Sequence, residues 1–76
     1  MTPDQLRQAL GELNGERDAE FSFAGELNSL LVHSAMLVPD EADHLVKVTD
    51  GRSIYILDAG RIAWIRIGLS GNRIQK

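Results

Sequence analysis

Apolar residues recur along this chain with two different periods. In the first segment Leu6, Ala9, Leu10 and Leu13 fall at i, i+3, i+4 and i+7, the stripe of an amphipathic helix. Thr2 fits the N-cap, Pro3 the first helical position, and Gln5 falls three residues after the cap. Asp4 complements the positive end of the helix dipole. Asn14-Gly15 supplies a C-terminal stop, so the expected helix runs over 2–14. Gly11 weakens it by about 1 kcal/mol relative to Ala, so it needs tertiary packing to persist.

After a charged stretch over 16–20, expected as a linker, the period shortens to two. Phe21 and Phe23 alternate with Glu20 and Ser22 in a short strand ending at Gly25. Residues 26–38 fit both periods. Leu27, Leu30, Leu31, Ser34, Ala35 and Val38 suit a helix, whereas Leu30, Val32, Met36 and Val38 suit a strand with His33 and Ala35 opposite. Strand is preferred, because Val32 and Val38 favour it and everything beyond is strand-like. Strands are expected over 44–49, 52–57 and 61–67. Asp50-Gly51 and Asp58-Ala59-Gly60 supply the tight connections between them. A flexible tail is expected over 68–76.

The expectation is therefore one domain spanning 1–76, mostly β with an N-terminal α-helix. Its strands over 20–67 would form a small five-stranded, strongly bent sheet or barrel. Closure would remove exposed strand edges that otherwise aggregate. Seventy-six residues hold one small core and no more. The chain has no cysteine, which excludes disulfides and thiol chemistry. Nothing near Met1 reads as a signal peptide, and the apolar run over 30–38 falls far short of the roughly 20 residues of a membrane span. A cytoplasmic protein with no membrane partner is expected.

Helix, five strands and a short tail resemble the Sm-like fold, the family of Sm and Lsm proteins and the RNA chaperone Hfq. Gly60-Arg61-Ile62-Ala63-Trp64-Ile65 is similar to the family's closing motif, with Ile62 and Ile65 at its two apolar positions. The resemblance implies a ring of subunits joined edge to edge through their last strands. The chain departs from the pattern where Hfq-like proteins carry a basic Lys-His pair lining an RNA-binding pore. Ala59 and Gly60 stand there, after Asp58. The first Sm motif is matched only loosely by residues 21–25.

Charge adds one feature. The net charge is -3, yet residues 1–43 hold nine acids and two bases, and residues 44–76 hold six bases and two acids. The split suggests an anionic ligand for the C-terminal half, complementary contacts between copies, or halves that interleave in the fold. Lys47, Arg52, Arg61 and Arg66, interleaved with Tyr55 and Trp64, form the candidate nucleic-acid-binding set, the two aromatics serving as stacking platforms. Against it, an acidic chain has weak affinity for phosphate backbones. Trp64 and Tyr55 also suit core or subunit-interface packing.

No phosphate-binding glycine motif is present. His33 and His44, with Asp40, Glu41 and Asp43 between them, meet no metal-ligand spacing. Ser34, Ser53 and Ser70 lack the context of an activated nucleophile. No enzyme, metal or cofactor is expected. The sequence points to a homo-oligomeric interaction module, with an RNA-binding regulator as the alternative.

Overall fold

The structure, a computed structural model, describes residues 1–69. Helix α1 (Pro3–Leu10) precedes strands β1 (Asn14–Phe23), β2 (Leu30–Leu37), β3 (Val46–Thr49), β4 (Ile54–Leu57) and β5 (Ile62–Ile67), with a 3-10 turn, Ala59–Arg61, before β5. The five strands make one antiparallel sheet in the order β4-β3-β2-β1-β5.

Helix α1 starts as the sequence dictates. Thr2 Oγ1 accepts the Gln5 N–H at 3.1 Å, and Gln5 Oε1 accepts the Thr2 N–H at 3.0 Å, a reciprocal capping box. It ends earlier than expected, at Leu10, with Gly11 as the cap. Leu6, Leu10 and the following Leu13 are buried in one core with Ala19, Phe21, Val32, Ala35, Val46, Val48 and Leu57. Arg7 ties the helix to the β2–β3 connection through the Leu45 carbonyl at 2.8 Å and Asp40 at 3.1 Å.

Two expectations fail between residues 14 and 20. Asn14-Gly15 does not stop a helix, and residues 16–20 are not a linker. Both belong to β1. Gly15, at φ +88, stands with Glu16 in a bulge between the pairs Asn14–Met36 and Arg17–Ala35. A Cβ at Gly15 would lie in ordinary contact with Met36 Cε, at 3.4 Å, so it is the positive φ that calls for glycine here.

Residues 26–38 resolve as a strand, but not with the expected faces. Between the pairs Ala19–Val32 and Arg17–Ala35, β2 carries His33 and Ser34 against the single residue Asp18. This bulge, with Ser34 at φ 49, reverses the alternation. Val32 and Ala35 are consequently both buried, and Met36 is exposed.

The expected closure into a barrel is not made. Among the described residues β4 and β5, though consecutive in the chain, are unpaired, and each is a free edge of the sheet. The Asp58 side chain accepts the Gly60 N–H at 3.1 Å and caps the 3-10 turn, which carries the chain away from β4. The Arg61 carbonyl then accepts the Ala24 N–H at 2.7 Å, fastening the start of β5 to β1. Gly68, expected in a loose tail, is buried and donates to the Asp18 carbonyl at 2.8 Å. The rest of that expected tail, residues 70–76, lies outside the described residues. Among the described residues no helix is long and apolar enough to cross a membrane.

Candidate functional site

The six residues singled out for nucleic acid do not converge. Trp64 and Arg66 share the outer face of β5, opposite Ser22 and Glu20 on β1. Lys47 and Tyr55 lie at the other end of the sheet, on β3 and β4, and Arg52 sits in the turn between those strands.

Most of the cations already face carboxylates. Arg66 Nη2 meets Glu20 Oε1 at 2.7 Å, while Ser29 Oγ donates to Glu20 Oε2 at 2.5 Å. Lys47 Nζ lies 2.6 Å from Glu41 Oε1 and 2.8 Å from Asp43 Oδ2. The hydrogen bond to Asp43, then that to Glu41, raises the Lys47 pKa above its ordinary value. The Lys47 bond, then the Leu45 N–H, holds the Asp43 carboxyl below its own. Arg61 approaches Glu26 at 3.6 Å, but both side chains are more than half exposed, so the pair contributes little. Among the described residues the Arg52 guanidinium has no ion pair. Tyr55 is half-buried against the core, opposite Val48.

Arg52 contributes instead to the turn. Asp50 Oδ1 accepts the Arg52 and Ser53 N–H groups, each at 2.8 Å, and Gly51 adopts φ +90. The Ser53 bond, then the Arg52 bond, lowers the Asp50 pKa. A depressed folded-state pKa gives stabilisation that is complete above the ordinary value of 3.8 and lost as pH falls through the folded-state value. Protection of the Arg52 and Ser53 amides, relative to their intrinsic exchange at each pH, is therefore expected to fall only below that ordinary value, and in Asp50→Ala to be lost already at neutral pH. Equal exchange in both chains at neutral pH would refute the role of Asp50.

The histidines also find carboxylates. His33 Nδ1 lies 3.1 Å from Asp18 Oδ2, and the exposed His44 Nδ1 lies 3.4 Å from Asp40 Oδ1. Among the described residues no three His, Cys, Asp or Glu side chains cluster as a metal site would require.

Two features escaped the sequence reading. Asp18 and Glu20 are buried on the face of β1 opposite Ala19 and Phe21, each held by neighbours. Their strict alternation with apolar residues was the available signal. The second feature is a concentration of apolar surface on the free edges. Ile54 and Ile56 on β4 are 61% and 60% exposed, and Trp64 on β5 is 48% exposed. A groove of about 300 Å³ lies between the start of α1 and β4, walled by Pro3, Leu45, Val46, Ile56 and Leu57, with Asp58 lining it as well. A second, of about 410 Å³, shares Ile56 and Asp58 and opens toward Phe23, Leu30 and Arg61.

Comparison with protein-family models, with curated proteins and with solved structures finds no match to this chain.

Proposed function

We propose that this chain is a small Sm-like interaction module that assembles with copies of itself through its free strand edges, and that it is not an enzyme. The observation that carries the reading is the pair of edges unpaired among the described residues, β4 with exposed Ile54 and Ile56 and β5 with exposed Trp64. An edge strand offers unused N–H and C=O groups to another chain, and apolar side chains beside it reward their being covered. No charged side chain blunts β4, whose sequence is Ile-Tyr-Ile-Leu. The order of elements, helix then a five-stranded antiparallel sheet, supports the Sm-like comparison.

The RNA-binding alternative has less support, because Lys47, Arg61 and Arg66 face carboxylates and the six residues are spread over both ends of the sheet.

Light scattering at tens of micromolar is expected to give a mass above that of one chain. The double variant Ile54→Lys/Ile56→Lys is expected to give a folded monomer, its circular dichroism unchanged. A strictly monomeric parent chain would overturn the self-association reading. Nucleic acid in the absorbance spectrum of the purified protein, lost in Arg61→Ala/Arg66→Ala, would favour the RNA-binding alternative instead.

A further inference from the structure

The chain sets an amide or acid side chain before glycine twice, at Asn14-Gly15 and at Asp50-Gly51. With no Cβ beside it, a glycine nitrogen is the least hindered in the backbone. Both dipeptides therefore have the atoms to close a cyclic imide, the glycine nitrogen attacking the carbonyl carbon of the preceding side chain. The fold treats the two oppositely.

Asn14 is exposed at the start of β1, and Gly15 follows it at φ +88. Asn14 Oδ1 accepts the Glu16 N–H at 3.2 Å. That bond folds the side chain back along the backbone, which brings Cγ over the Gly15 nitrogen. It also aims a backbone donor at the oxygen that becomes negative when the nitrogen attacks, as an oxyanion hole does. Gly15 and Glu16 stand between the pairs Asn14–Met36 and Arg17–Ala35, so the peptide that must turn is one the sheet register leaves out.

Asp50 has the opposite arrangement. Its Oδ1 holds the Ser53 and Arg52 N–H groups, each at 2.8 Å. These bonds keep its carboxyl below the ordinary value, so it is ionised at neutral pH, and a carboxylate is a poor electrophile. Asn28, the other asparagine of the described residues, precedes Ser29, whose side chain crowds the attacking nitrogen.

We propose that Asn14 is a self-modifying site. A solvent base takes the Gly15 N–H proton, the nitrogen bonds to Asn14 Cγ, and the bond from Cγ to Nδ2 breaks. Ammonia leaves, taking its proton from water. One water then opens the imide at either carbonyl and leaves aspartate or isoaspartate at position 14. No electrons are transferred, and water is the only co-reactant. Each product adds a negative charge close to the exposed Glu12 and Glu16. Isoaspartate also adds one carbon to the main chain between Leu13, anchored in the core, and Arg17, paired with Ala35.

The test follows the parent chain, folded, in mildly alkaline buffer made with water enriched in the heavy oxygen isotope. Peptide mass spectrometry over days is expected to find loss of the amide and uptake of one heavy oxygen at residue 14, with neither Asn28 nor Asp50 altered. A parallel sample in concentrated urea gives the rate without the fold, and the folded chain is expected to react at least as fast. A folded chain that reacts more slowly than the unfolded one would overturn the proposal, because the bulge would then shield the site. Conversion at Asn28 or Asp50 as fast as at Asn14 would overturn it too, by removing the part assigned to the Glu16 N–H. Asn14→Gln keeps an amide at the position but needs a larger, slower-closing ring. It is expected to stay unmodified, with the circular dichroism of the parent. The isoaspartate fraction, separated by ion exchange, is expected to melt below the Asn14→Asp variant, which carries the same charge on an ordinary backbone. Equal melting of the two would refute the effect on β1.

Discussion

Phe21→Ala is expected to lower the melting temperature by on the order of 15–30 °C, the largest effect of any single core truncation in this chain. Phe21 is fully buried and is the bulkiest of the completely covered side chains. It lies in the middle of β1, the only strand paired on one side with β2 and on the other with β5. Truncating a buried Phe costs about 3–5 kcal/mol through lost transfer energy and the cavity left behind. A small domain has about 5–15 kcal/mol in total, and one this size sits toward the lower end. At roughly 4–8 °C per kcal/mol, the shift follows. Phe23, only partly buried, should lose much less on the same change. Calorimetry on both variants checks the contrast, and similar shifts for the two would remove Phe21 from the centre of the packing.

Asp18→Ala is expected to cost about 3 kcal/mol and to loosen the middle of β2. The Asp18 side chain is almost wholly buried, with Oδ1 accepting the Ser34 N–H at 2.9 Å and Oδ2 facing His33 Nδ1 at 3.1 Å. Both partners belong to the bulge that sets the faces of β2. Hydrogen bonds to a charged acceptor contribute about 1.5–3 kcal/mol, and a buried donor stripped of its acceptor costs more than the bond itself was worth. Ser34 sits at φ 49, a conformation that persists only where its surroundings hold it. Asp18→Asn keeps one carbonyl acceptor for the Ser34 N–H and should be distinctly milder. Chemical denaturation ranks the two, and amide exchange at Ser34 locates the effect. Unchanged exchange at Ser34 in Asp18→Ala would mean that the carboxylate fills space and does not hold the bulge.

These two residues also mark what the sequence does and does not disclose. Phe21 alternates with charged and polar neighbours and is legible as a core position. The cap of α1 and the two strands flanking Asp50-Gly51 are equally legible, because each depends on residues close together in the chain. The start of β1 is not. Glu16, Arg17, Asp18 and Glu20 look like a solvated linker until β2 and β5 supply Ser34, His33 and Arg66 as partners. The faces of β2 and β5 are illegible for a related reason. A bulge shifts the alternation by one, and its position is set by the neighbouring strand. On β5 the pairs Ser22–Trp64 and Phe23–Ile62 bracket an extra residue, Ala63. Ile62 is therefore buried although Trp64, two positions on, is exposed. The pairing of the candidate cations is illegible for a simpler reason: sequence counts charges, whereas the fold decides which of them meet a carboxylate.

The sheet order also dictates a sequence of events in folding. Strands β1 to β4 form a meander in which each strand pairs with the next along the chain, so these contacts close short loops. The pairing of β1 with β5 is different, because it joins the beginning of the sheet to its end, Ala19 to Ile67 and Ser22 to Trp64. Closing that long loop carries the largest entropy loss in the fold and is recovered only once β1 is already in place. β5 is therefore expected to dock last. Until it does, Glu20 lacks Arg66 and one side of β1 is open. The step that completes the core also creates the β5 edge, so a growing chain presents that edge only after β1 to β4 have been made.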